Sequence, residues 1–250
     1  MTRKARLVAL ALAALVAAPA LADKVIVQLQ HTDAMSMMGQ TTPAQDTTQE
    51  SWFGDSAVRF DSGDTTVITR FDKKKLYFIN HAEKSYSAID LPIDFKALVG
   101  PEMAPMMEQM AKMMAASVTV SPSEKTGTFA GIACKYQDIQ VNMGMMQMAI
   151  TGCYSENVGI DYGRYRDFAK AQADLMPNSG WMKDLAEKVK GYPVRTETTT
   201  SMMGKSFRSW QEIKAVETRT PPPGQYDPPA GYREVKYDPM AQAARRGKAH

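Results

Sequence analysis

The chain predicts a mainly β fold, an antiparallel sheet covered by about three α-helices. Three observations carry this. Short runs of β-branched and aromatic residues recur between tight turn signals from Ser51 to Leu91. A second strand–turn–strand pair surrounds the two cysteines, Cys134 and Cys153. Three stretches, Pro101–Ser117, Arg164–Met176 and Trp181–Lys190, carry apolar residues at helical spacing instead. A sheet with one apolar face needs such helices as a cover.

Residues 1–22 have the form of an export signal. Arg3, Lys4 and Arg6 precede the apolar run Leu7–Ala18, and Ala20-Leu21-Ala22 offers a small-x-small cleavage site. Periplasmic localisation is therefore expected. One domain should run over 23–237, followed by a disordered basic tail over 238–250. Lys24–Gln30 alternates, with Val25, Val27 and Leu29 on one face, and predicts the first strand. The polar stretch Asp33–Asp46 reads as a loop. Between Ser51 and Leu91, turns at Asp61–Asp64, Asp72–Lys75 and His81–Lys84 divide a meander of four or five strands. Lys73–Lys75 reads as a solvated turn.

In Pro101–Ser117, Pro105 suits a first helical position, where its missing N–H costs nothing. Met107, Met110 and Met114 then share one side, with Met106 and Met113 beside them. Methionine is unbranched and adaptable, and Met-rich surfaces often line promiscuous grooves. Two expectations stand together: an ordinary packing face, or a deformable lid over an apolar cavity. On the second, Met106, Met107, Met110, Met113 and Met114 are the ligand-binding residues. Thioethers also suit Cu(I), and the pairs 37–38, 106–107, 113–114, 145–146 and 202–203 could feed such a site. No His or Cys accompanies them at short spacing, so no metal site is assigned.

Two cysteines in an exported chain favour a disulfide. With Asn142–Met145 as the turn and Met143-Gly144 at its centre, Cys134 and Cys153 fall directly opposite. Their Cα atoms would then be about 5.5 Å apart, as a disulfide requires. Further on, Pro177–Gly180 separates the last two helices, and Ser179 is a candidate cap. Pro193–Ser201 and Lys205–Glu217 alternate as late strands around a turn at Met202–Gly204. Thr220–Gly224, with three consecutive prolines, is a stiff extended breaker.

The formal charge of +3 comes from the leader, which holds three bases and no acid. That balance argues against nucleic acid as a partner. No later apolar run reaches the roughly 20 residues of a membrane span. No nucleophile elbow, Walker loop or Rossmann glycine run is present. The chain is expected to be non-enzymatic, without cofactor.

The phrase Thr126–Val141, TGTFAGIACKYQDIQV, and the closing Tyr226–Tyr232, YDPPAGY, together with the meander Val58–Leu91, resemble an uncharacterised family of exported bacterial proteins. That family carries a "TGE-x-x-x-I-A-G-Y-x-C-x-x-Y" phrase before a hairpin and ends in "F-x-x-P-x-G-Y". It is similar to the periplasmic lipoprotein carriers (LolA/LolB-like). The resemblance implies an incompletely closed antiparallel β-barrel with helices plugging the open side. It also implies an apolar ligand, a lipid or a lipoprotein acyl chain, with transient membrane contact. The Met-rich helix, the second cysteine and the Pro-rich end depart from the carriers. A Cu(I)-binding protein and a structural envelope factor are the rival readings.

Overall fold

A computed structural model describes residues 22–37, 40–113, 116–144, 146–175, 180–202 and 204–239, with the side chains of 35–37, 40 and 110–113 outside that description. Residues 1–21 of the expected signal segment 1–22, the tail from 240 onward, Met114 and Ser179 lie outside the described residues. The strands are β1 (Asp23–Thr32), β2 (Met35–Met37), β3 (Gln40–Thr42), β4 (Gln45–Phe53), β5 (Ala57–Ser62), β6 (Thr65–Arg70), β7 (Lys75–Asn80) and β8 (Ser85–Asp90). Next come helices α1 (Phe95–Val99) and α2 (Ala104–Met113), then β9 (Ser117–Phe129), β10 (Ile132–Met143) and β11 (Met146–Ser155). Helices α3 (Tyr162–Ala173) and α4 (Gly180–Lys188) precede β12 (Tyr192–Met202), β13 (Lys205–Arg219) and β14 (Arg233–Glu234).

Twelve strands form one open sheet in the order β14-β8-β7-β6-β5-β4-β1-β13-β12-β11-β10-β9, and β2–β3 form a separate hairpin. All pairings in the large sheet are antiparallel except β14 with β8. The mainly β, open-barrel expectation holds. The stretch predicted as a loop after β1 instead carries the β2–β3 hairpin and the start of β4, whose Gln45–Phe53 pairs along β1. Polar Thr and Gln alternate there without an apolar face, so the burial pattern gave no strand signal. A short helix, α1, precedes the Met-rich one and is capped by the Asp94 carboxylate, which accepts from the backbone of Lys96 and Ala97.

Apolar residues of the concave face build the core. Ile26, Val58, Val194 and Ile213 are fully buried and meet Phe168 of α3. The Phe168 ring stacks on Phe60 with centroids 4.9 Å apart, which seats α3 on β5. Leu76, Phe78 and Ile89 form a second cluster with Leu175 and Tyr237. Ile139, Val141, Tyr154 and Val189 form a third, against which Trp181 and Leu185 of α4 pack.

The Cys134–Cys153 disulfide is present, with Cα atoms 5.3 Å apart, but the predicted register is corrected. Met143 pairs with Met146, so Cys153 faces Tyr136 and the two cysteines are diagonal neighbours. The turn sits one residue later than its predicted centre because Gly144, at φ +57°, takes the first position of a two-residue loop that needs left-handed backbone. Irregularities around Tyr136 and after Cys153 interrupt the neighbouring ladders. Such bulges increase local twist, and that twist brings the diagonal pair within bonding reach.

Candidate functional site

Helix α3 presents Tyr162, Tyr165, Arg166 and Ala169 along one stripe, at the three- and four-residue intervals of a single helical face. Helix α4 presents Trp181, Met182, Leu185 and Ala186, followed by Val189, while Lys183, Asp184, Glu187 and Lys188 face solvent. Together they roof a hollow of about 430 Å³ over the sheet. Its floor is different in kind: Ile150 and Tyr154 of β11, Thr196 and Thr198 of β12, Ser209 and Gln211 of β13, and Gln30 of β1. The result is a greasy, aromatic roof above a floor of hydroxyls and amides.

The roof is only lightly fastened. No residue within α4 is fully buried. Ion pairs join Lys170 to Glu187 and Lys183 to Asp174 across the two helices. The Tyr162 hydroxyl donates to the Val189 carbonyl at 2.7 Å, and Lys188 Nζ donates to the Val118 carbonyl at 3.1 Å. Burial pushes the Tyr154 and Tyr165 hydroxyls well above the usual tyrosine range, so both are neutral and able to donate. The Tyr165 ring lies 4.6 Å from Tyr192 and packs against Phe53. Tyr154 folds back over Gly152, where an added Cβ would lie 2.3 Å from the ring. It borders both the hollow and a broader trough of about 1170 Å³ along β9 and β10 that carries Lys135, Lys188 and Lys190.

The predicted Met site falls elsewhere. Met107 is 6% exposed and lines a separate hollow of about 360 Å³ with Leu98, Val99, Met103 and Tyr237. Met106 points outward at 45% exposure. The side chains of Met110 and Met113, and the whole of Met114, lie outside the described residues. The α2 hollow shares no lining residue with the one beneath α3 and α4. Tyr154, Tyr165, Arg166, Trp181 and Trp210 were not singled out from the sequence. The available signal was Arg166, a charge set into an otherwise aromatic stripe. Among the described residues no group of three or more His, Cys, Asp and Glu side chains is placed to hold a metal, and no helix is long and apolar enough to cross a membrane.

A family model described as "Domain of unknown function (DUF4412)" matches residues 32–232, from the end of β1 to the segment between β13 and β14. The chain belongs to the DUF4412 family. No curated protein matches it. The match covers both roof helices, the disulfide and every residue lining the hollow except Gln30, so in this DUF4412 protein the site is part of the family domain. The match also takes in Tyr226–Tyr232, the closing phrase that resembled the family in sequence.

Proposed function

We propose that this DUF4412 protein is an exported, non-enzymatic carrier that holds a lipid or the acyl chain of a lipoprotein under α3 and α4. The observation that supports it is the hollow itself. Its volume of about 430 Å³ falls within the roughly 300–1,000 Å³ of small-molecule sites. A methylene takes up about as much room as a water molecule, about 30 Å³, so a chain on the order of a dozen carbons fits. The roof is apolar, and α4 has no fully buried residue, being held by two ion pairs, a few hydrogen bonds and the half-buried Trp181 and Leu185, so it can move aside. In this reading the lid is α4, and the Met-rich α2 packs the far end of the sheet. An open barrel plugged by helices also fits kinship with the LolA/LolB-like carriers, and such carriers work in the periplasm.

Native mass spectrometry of the protein purified from an exporting host tests this. A bound species of lipid mass, identified after extraction, is the expected result. A bare protein mass together with failure to bind a fluorescent fatty-acid probe overturns the reading. A copper adduct that disappears in Met106→Leu/Met107→Leu would favour the thioether alternative.

A further inference from the structure

Arg166 is the one cation among the residues that line the hollow. Its Nε is shielded from solvent and donates no hydrogen bond. Among the described residues no acid lies within ion-pair range of it. The one acid shown to feel its charge, Glu187, is held by Lys170 instead. A donor shielded from water and left without a hydrogen bond is costly, and Arg166 carries that cost at Nε while the rest of the half-buried side chain stays in reach of a ligand. The planar fork of arginine fits a carboxylate or phosphate through two parallel hydrogen bonds. Tyr154 and Tyr165, both neutral, line the same hollow, and their side chains repel no anion.

We propose that the occupant is a single-chain amphiphile with an anionic head, its chain under the aromatic roof and its carboxylate or phosphate on Arg166. This rests on the carrier reading and narrows it. An acyl chain alone would need only the roof. The unbonded Nε of Arg166 and the hydroxyl-rich floor call for a charged, hydrogen-bonding head.

The test uses the full chain after delipidation, titrated by calorimetry with palmitate, palmitoyl lysophosphatidate and hexadecanol. Both anions are expected to bind at least about tenfold more tightly than the alcohol, the size of one charge-assisted contact. In Arg166→Gln the palmitate and hexadecanol affinities converge. Arg166→Lys keeps a charge without the fork and retains part of the preference. A preference for only one of the anions identifies the head as carboxylate or phosphate, and either supports the proposal. Equal affinities for all three probes in the wild type overturn it and leave the carrier reading standing, as does a preference that survives Arg166→Gln. Absence of binding by every probe overturns both.

Discussion

Gly152 and Tyr154 occupy alternate positions on one face of β11, and the ring of the second fills the space above the first. An added Cβ would sit 2.3 Å from Tyr154 Cε2, so Gly152→Ala forces the ring out. Overpacking of this kind costs about 1–3 kcal/mol. Most of that penalty should vanish in a Tyr154→Ala background, as a double-mutant cycle in urea would show. A penalty that persists without the ring would place its cause in the backbone. His31 gives a second test at this scale. Its two ring nitrogens face Asp46 at 2.7 Å and Asp33 at 3.1 Å, and only the imidazolium can donate to both. The hydrogen bond to Asp46, with Asp33 assisting, raises its pKa against the opposing effect of burial. A raised folded value means the pair stabilises fully below the ordinary value of about 6.5 and stops doing so as pH rises through the folded one. An NMR titration of the ring should show a midpoint above the ordinary value. One at or below it would mean that the carboxylates do not hold the ring.

At the scale of elements, the two cysteines tie β10 to β11 across 19 residues of sequence. Closing a loop of that size stabilises by about 3 kcal/mol. Cys134→Ala/Cys153→Ala should therefore lose about that much in equilibrium denaturation, with no further loss on adding reductant. Helix α4 behaves oppositely. Its ion pairs to α3 are largely solvent-exposed, and such pairs contribute about 0–1 kcal/mol each. Its amides should exchange with deuterium ahead of those of β12 and β13. Palmitate, if it occupies the hollow, should slow them selectively. Equal protection of α4 and the sheet in the delipidated protein would mean that the helix is no lid.

Across the whole molecule, the chain after β13 returns over the convex face of the meander. Arg59 donates to the Gln225 carbonyl at 2.8 Å, Arg70 to Asp227 at 2.9 Å, and the Tyr226 hydroxyl to Asp23 at 2.6 Å. Ile68 and Ile79 share the face of Thr66 and Arg70 and are fully buried there. The strap then rounds the edge of the sheet as β14, pairing with β8, and sets Tyr237 against Phe78 with ring centroids 5.9 Å apart on the concave side. Truncation after Arg219 strips both isoleucines and bares the β8 edge, a template for aggregation. Dye binding and light scattering should both rise. A truncated chain that stays monomeric would show that the strap covers nothing of consequence. Arg70 also holds the Asp72 carboxyl at about 2. With the folded value depressed, this pair stabilises above the ordinary carboxylate value of about 3.9 and is lost as pH falls through about 2.

Much of the fold was legible residue by residue, because alternation, turn chemistry and helical spacing are local properties. The meander, the three amphipathic helices, the late strands and a disulfide between the only two cysteines all follow from such signals. What depends on one element meeting another did not. A helix with an apolar face must be covered, but periodicity does not say by what. The sequence pointed to the Met-rich α2 as the lid, and the hollow beneath α4 emerged only once Phe168 seated α3 on Phe60 and left space beneath its neighbour. The hairpin register turned on which residue took the left-handed turn position, a choice of one place that shifts every pairing. The Pro-rich end carries no alternating pattern, so its role as a strap appears only when Arg59, Arg70 and Asp23 are brought together from distant strands. A hollow is the volume that side chains leave unfilled, and only long-range packing decides where that volume lies.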